Sequence, residues 1–294
     1  MKSGVKRTTP YKVISIIILV ILAILFLFPL YWIVTGAFKP TTDIYASQPV
    51  WWPSEWVTSN FEKLFTKRSA PLFEIGALVG PTVPAAIRWL VNTVFMSVAA
   101  MLLTCITAAM AGYALAKKRF VGRALLFSLI IWAMALPKQV ILIPLLKEMS
   151  ALKLYGSLWA VIFPTVGWPF GVFLMKQFCE GVPGEMLEAA RIDGASEART
   201  FTQIVVPLIK PGIGALAIFT FINSWNDYFM QLVMLPNSAN FTISLGIATL
   251  QGESSVDTGL LMSGAALAAV PIIVVFLIFQ KYFTQGITMG AVKG

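Results

Sequence analysis

The stretch EAARIDGASEARTFTQIVVPLIKPG, Glu188 to Gly212, decides how this chain is read. Together with Glu185 it gathers Glu188, Arg191, Asp193, Glu197, Arg199 and Lys210, although only 12% of the 294 residues are charged. Gly181, Pro183 and Gly184 break the chain ahead of it. From Glu185 to Asp193 the residues are strong helix formers, and Met186, Leu187, Ala189 and Ala190 give a small apolar face. Gly194 supplies the left-handed position that ends a helix. A second helical stretch starts at Ser196, with Ala198, Phe201, Ile204 and Val205 on one side and Pro207 and Pro211 punctuating its far end. The expectation is a short helix, a glycine turn and a second helix.

What flanks this stretch is strongly apolar. Hydrophobic residues make up 58% of the chain and mean hydropathy is +0.81, the composition of a polytopic membrane protein. Six runs reach the roughly 20 apolar residues that a helix needs to cross hydrocarbon. They are Val13–Phe38, Trp89–Leu115, Ala124–Leu146, Tyr155–Phe178, Gly212–Leu235 and Gly259–Phe283. The first follows Lys2, Lys6, Arg7 and Lys12 and imitates a signal peptide, but it is too long and lacks a small-residue cleavage site, so it reads as an uncleaved span.

Most of the 22 Lys and Arg fall in segments on the side of the membrane that holds the amino terminus: Lys2, Lys6, Arg7, Lys12, Lys117, Lys118, Arg119, Arg123, Lys176, Arg191, Arg199, Lys210, Lys281 and Lys293. By the positive-inside rule both termini and the charged stretch are cytoplasmic. The net charge of +9 is thereby explained as cationic flanks, without a nucleic-acid partner. The first external loop, 39–88, is rich in Trp and Pro (Trp51, Trp52, Pro53, Trp56). It reads equally as an interfacial aromatic belt or as a docking surface.

Several functions are excluded or disfavoured. With no His, the commonest metal ligand, the commonest general base and the Ser-His-Asp triad are missing. Cys105 and Cys179 have no metal-ligand spacing, and no disulfide between them is expected. No G-x-x-x-x-G-K-[ST] phosphate loop occurs, so the chain is not expected to hydrolyse ATP itself. No catalytic or metal-binding residues are assigned. Gly167 and Gly171 form a small-xxx-small pair suited to helix packing.

The charged stretch has two physical readings. One is an amphipathic connector lying on lipid headgroups; the other is an element that docks into a groove on a second protein. Acidic and basic residues balance almost one for one, which favours docking. Glu188-Ala189-Ala190, then Gly194, then Ile204 and Pro207, resemble the E-A-A-x3-G-x9-I-x-L-P loop of ABC importer permeases, departing only at Val206. Gln139 to Pro144, Asn223-Ser-Trp-Asn-Asp227 and the end Gly286-Ile-Thr-Met-Gly-Ala-Val-Lys-Gly294 are similar to permeases of the carbohydrate-uptake class, the tail to that of the maltose importer.

The resemblance implies an all-α, six-span, type I importer permease in the bacterial plasma (inner) membrane. Its parts are a 1–12 cytoplasmic segment, a 13–283 membrane domain and a 284–294 cytoplasmic tail; the membrane domain carries the 181–211 coupling loop and a 236–258 external scoop loop. The implied partners are a homologous permease subunit, two ATPase subunits that bind ATP and Mg, and an extracytoplasmic binding protein delivering a sugar or oligosaccharide. This chain itself carries no cofactor and is not an enzyme. Glu188, Ala189, Ala190, Asp193, Gly194, Ile204 and Pro207 are then the coupling residues, and Met289, Gly290, Lys293 and Gly294 a tail that contacts the ATPases. Asn237, Asn240 and Gln251 are candidate binding-protein contacts. Gly286, Gly290 and Gly294 favour an extended or turned tail.

Asp227, beside Asn223 and Asn226, lies well inside the fifth apolar run. There a charge costs about 2.5–3.5 kcal/mol and must face protein or water. It reads either as part of the translocation path or as interhelical hydrogen bonding. Lys138 reads first as a cation snorkelling to the outer surface. In the alternative it lines the pathway and suits an acidic sugar such as an alginate-like uronate oligomer. The competing class is an ion-gradient-driven secondary transporter, for which Asp227 is the sole candidate relay and no repeat is evident.

Overall fold

Lipid offers backbone groups no partner, so apolar stretches satisfy their N–H and C=O groups internally, as helix. The computed structural model describes residues 10–75, 78–251 and 257–291. Its helices, in chain order, begin with α1 (Pro10–Ala37), α2 (Thr41–Ile44), α3 (Ser59–Thr66), α4 (Ala85–Lys117) and α5 (Arg123–Met134). Then come α6 (Lys138–Ala151), α7 (Trp159–Val166), α8 (Pro169–Glu180), α9 (Gly184–Ile192) and α10 (Glu197–Thr200). The last are α11 (Val206–Leu208), α12 (Lys210–Asn226), α13 (Tyr228–Met234), α14 (Ile243–Ala248) and α15 (Thr258–Ala291). Between α3 and α4 four short strands, β1 (Ser69–Pro71) to β4 (Thr82–Pro84), pair as β1 with β4 and β2 (Glu74–Ile75) with β3 (Leu78–Val79). Among the described residues four helical stretches are long and apolar enough to cross a membrane, or six if two sharply bent helix pairs each count as one span.

The chain divides into two compact units, Met1–Ser69 with Leu250–Leu267, and Ala70–Thr249 with Ala268–Gly294. In the first, Gly36 of α1 packs against Met262 of α15. Asn60 donates to the carbonyls of Ala37 and Lys39 at 3.1 and 2.9 Å, satisfying acceptors that the end of α1 leaves open. The Trp-rich loop folds back on α1: Trp51 lies 5.9 Å from Phe28 and 5.8 Å from Trp32, while Trp52 stacks on Tyr31. Trp51, Trp52 and Trp56 remain exposed, next to an α1 whose side chains from Val13 to Phe28 are largely exposed too. Exposed aromatic and apolar side chains together suit an aromatic belt against lipid and a docking surface alike.

The second unit is organised on α4, which packs against α7, α8, α12 and α14. Its contact face holds Ala100, Ala108, Ala109 and Gly112, small residues that let backbones approach. At Gly112 the approach is closest, since an added Cβ would stand 2.7 Å from the backbone of Met175 and Lys176. Gly171 faces Ala108 and Thr104 in the same seam. Gly167 does not join it: it is the C-cap of α7, near only the carbonyls of its own turn, so the expected small-xxx-small pair is half right.

Three of the expected continuous spans are interrupted. The third breaks between Met134 and Lys138 with a 107° bend. Pro137 has no N–H to donate and pushes Leu136 out of helical geometry. The fourth breaks at Gly167-Trp168, ahead of Pro169 at the start of α8. The fifth stops at Asn226 and restarts at Tyr228. The tail is also corrected: the backbone is helical through Ala291, not extended from Gly286. Each glycine costs about 1 kcal/mol, but extending an existing helix needs no new nucleus. Lys293 and Gly294 lie outside the described residues.

The α4–α8 contact gives a direct test. Gly112→Leu is expected to destabilise the protein by about 1–3 kcal/mol, because backbone cannot move aside as a flexible side chain can. Thermal unfolding in detergent should show the loss, whereas Gly181→Ala, where the added Cβ meets only ordinary contact, should be nearly neutral.

Candidate functional site

The three helix breaks meet at one cavity. Lys138 is the first residue of α6, Trp168 is the N-cap of α8, and Asp227 separates α12 from α13. All three line a cavity of about 360 Å³, together with Thr104, Thr165, Thr220, Asn223 and an apolar set that includes Ile141, Phe170, Leu216 and Met230. Lys138 Nζ lies 3.1 Å from Asp227 Oδ2 and 4.6 Å from the Trp168 ring centre. The lysine is therefore paired within the cavity, which replaces the snorkelling reading.

Asp227 also accepts the Met230 N–H at 3.3 Å, so its carboxylate caps α13 while holding Lys138. The carbonyls left open at the end of α12 are satisfied by a residue that sequence reasoning missed. Gln231, fully buried, donates to Ser224 O at 2.9 Å and Trp225 O at 3.4 Å and accepts from Thr242 at 2.5 Å. Its only signal in the sequence is a polar amide four residues beyond the Asp, within an apolar run. Asn223 lines the cavity and bonds back to Phe219 O; Asn226, exposed, bonds back to Ile222 O and does not line it.

The expected coupling loop forms a second, exposed surface. Helix α9 ends in a paired closure: Ala195 N–H donates to Ala190 O at 2.9 Å and Gly194 N–H to Arg191 O at 3.1 Å, with Gly194 at φ +76°. Glu188, Ala189, Asp193 and Gly194 face outward, Ile192 is 87% exposed, and Ala190 is buried. The second helix is less regular than expected. Ser196 caps α10, and residues 201–205 widen into a π turn in which Val206 N–H reaches back to Phe201 O. Pro207, with no N–H and a ring that crowds the preceding turn, accounts for the widening. Val205 is buried, Phe201 and Ile204 half-buried, but Ala198 is exposed and leaves the apolar side. As Pro207 and Pro211 suggested, the helical path breaks between them: α11 ends at Leu208 and α12 starts at Lys210 after a 77° bend, each proline sitting in a first turn.

Electrostatics tie this loop to α4. Glu197 is bound by Lys118 and by Tyr113 OH at 3.2 Å, and Arg191 stands 3.6 Å away. The Lys118 hydrogen bond leads in holding the Glu197 carboxyl below its ordinary range. Burial acts against the Lys118 charge, yet Glu197 and Tyr113 hold its pKa above the ordinary value.

A third segment, residues 236–251, is ordered as expected from Phe241, Thr242 and Ile243, and it is pinned by α4. Arg88 and Asn92 donate to Ala239 O, each at 3.0 Å, and Trp89 donates to Ser238 O at 3.1 Å. Asn240 uses its amide on Gly156 O at 2.8 Å, so it turns inward, while Asn237 and Gln251 are exposed.

A family model described as "Binding-protein-dependent transport system inner membrane component" matches residues 107–289. The arabinooligosaccharides transport system permease protein AraQ of Halalkalibacterium halodurans is 34% identical, over 93% of this chain and 93% of that protein. The diacetylchitobiose uptake system permease protein DasC of Streptomyces coelicolor is 29% identical over 94% and 95%. Among solved structures, a bacterial ABC transporter involved in the import of the acidic polysaccharide alginate superposes with a TM-score of 0.77, covering 96% of this chain and 99% of that one. At 20% identity that likeness concerns the fold alone.

The Lys118–Glu197 link has a defined pH window. Glu197, with its folded pKa lowered, contributes fully above its ordinary 4.5 and loses that contribution as pH falls through the lower folded value. Lys118, with its pKa raised, contributes fully below 10.5 and loses it only above the higher folded value. Hydrogen exchange of amides 197–205 should therefore be slow between these limits, faster in Glu197→Gln, and equal in the two proteins once acid has protonated Glu197. Equal exchange at neutral pH would sink this account.

Proposed function

This chain belongs to the family of binding-protein-dependent transport system inner membrane components, and from that premise we propose that it is the permease subunit of an ATP-driven importer of sugars or oligosaccharides. The observation that carries the reading is the exposed Glu188–Gly194 helix and turn, with its left-handed glycine, in a chain of this family. Relatives named for arabino-oligosaccharide and diacetylchitobiose uptake support the substrate class.

In this reading the chain sits in the bacterial inner membrane with both termini cytoplasmic, pairs with a homologous permease, and receives sugar from an extracytoplasmic binding protein. It performs no chemistry. Two ATPase partners bind ATP and Mg, and one of them receives α9: Ile192 inserts as an apolar knob while Glu188 and Asp193 fix register. Ala189 and Gly194 keep that surface low, Ala190 anchors it inward, and Ile204 and Pro207 shape the second helix that joins it to α12. The tail bearing Met289, Gly290, Lys293 and Gly294 reaches the ATPases. Residues 236–251 meet the binding protein through Asn237 and Gln251, with Asn240 holding the segment in shape. The cavity at Lys138, Asn223 and Asp227 belongs to the translocation path, and Asn226 stands beside it.

Gly194→Val is expected to keep the chain membrane-inserted, since an added Cβ meets open space, but the φ of +76° penalises any L side chain by about 1–2 kcal/mol. With Glu188→Lys it should lower ATPase co-purification and ATP-driven sugar uptake about tenfold or more, as expected for misfitted charged interface contacts. Normal pull-down and uptake by both variants would overturn the coupling role. Uptake driven by an ion gradient without ATP would overturn the importer reading itself. Deleting residues 289–294 should preserve insertion and permease pairing while lowering substrate-stimulated ATP hydrolysis; unchanged stimulation would leave the tail without a role.

A further inference from the structure

The cavity at the helix breaks has a charge arrangement that bears on which saccharide it accepts. Among the described residues lining it, Lys138 is the one cation and Asp227 the one anion, and they neutralise each other at 3.1 Å. The pair is only partly enclosed, with side-chain exposure of 37% for Lys138 and 16% for Asp227. Its hydrogen-bonding capacity is also only partly used. Lysine has three donors, of which one meets Asp227. A carboxylate offers about four acceptor sites, of which Lys138 and Met230 N–H take two.

Two further features belong to the same cavity. Thr104, 2% exposed, lines the wall and its hydroxyl has no hydrogen-bond partner in the protein. A buried orphan of this kind is one that an ordered water can satisfy. Trp168 lies against the lysine ammonium and helps hold it in the lining.

We propose that Lys138 and Asp227 form a charge-balanced recognition element that admits neutral, hydroxyl-rich saccharides and rejects anionic ones. This rests on the sugar-importer reading and narrows it. Adjacent hydroxyls of a neutral sugar donate to the free acceptor sites of Asp227 and accept from the free donors of Lys138, so nothing charged is left unmatched. A uronate competes with Asp227 for the same ammonium. Two carboxylates then share one cation, with no second one among the described lining residues, a like-charge contact that costs specificity and affinity. Pairing therefore turns the reading of Lys138 as a magnet for acidic sugar into its opposite.

The test uses the complete complex of this chain, its partner permease and the ATPases in lipid nanodiscs. Omitting the binding protein removes that protein's own selectivity. An arabino-oligosaccharide serves as the neutral probe and a galacturonate oligomer as the acidic one, each followed by the fluorescence change that Trp168→Phe abolishes. The neutral probe should bind at least about tenfold tighter, as like-charge repulsion at close range requires. Asp227→Asn keeps a capping side chain, and it should shift the preference toward the acidic probe by at least about tenfold by the same repulsion. Lys138→Gln should weaken the neutral probe without admitting the acidic one. Equal or tighter binding of galacturonate by the native complex, or an unchanged preference in Asp227→Asn, overturns the proposal while leaving the importer reading intact. Absence of ATP-driven uptake of any saccharide by the complex supplied with its binding protein overturns both.

Discussion

Every break in a helix inside an apolar stretch frees backbone donors and acceptors that lipid cannot satisfy. The arrangement of this protein follows from how side chains meet that demand. At the end of α12, Gln231 takes the open carbonyls of Ser224 and Trp225 while Asp227 takes the open N–H of Met230. At the end of α1, Asn60 does the same for Ala37 and Lys39. A charged residue is tolerated at the break in the fifth apolar run because it has two partners there, one backbone and one ionic. The cavity and the ion pair are by-products of a requirement that begins with hydrogen bonding.

Packing supplies the rigidity these breaks need. Apolar side chains gain nothing by leaving lipid for one another, so close backbone approach and dispersion must hold the helices together. Gly112 against Met175 and Lys176, and Gly171 against Ala108, let α4 and α8 meet at short range. Lys117 then donates to Glu180 O and Val182 O at 3.2 and 2.6 Å, closing the far end of α8. Through Lys118 and Tyr113 the same end of α4 grips Glu197. The exposed helix α9 and its neighbour are thus joined by short contacts to α4, the element that also supplies Thr104 to the cavity wall.

The charged stretch was legible because its signals are local. Helix formers, a glycine that must adopt positive φ and a Ser N-cap act over a few residues, and Gly194 and Ser196 do what their chemistry predicts. The apolar runs were legible for a similar reason, since length and composition suffice to call for spanning helix. The breaks were harder. Pro137 and Pro169 are local signals for two of them, yet both runs read as continuous on length and composition, and Asp227 looked like a charge inside a span instead of the cap of a new helix. The glycine-rich tail misled in the other direction, because helix propagation tolerates residues that helix nucleation does not.

By itself the sequence determined the class of the protein: helical, membrane-embedded, with one charged helix-turn-helix and family motifs spread along most of its length. Tertiary structure alone decided that residues 138, 168 and 227 meet at one cavity, that Lys138 is neutralised instead of free, and that Asn240 turns inward. The physical reason is separation along the chain. Lys138 and Asp227 lie 89 residues apart, and their pairing depends on two breaks in different apolar stretches being brought together. No local propensity encodes that distance. The packing of α6 against α13, together with that of α4 against α8 and α12, does.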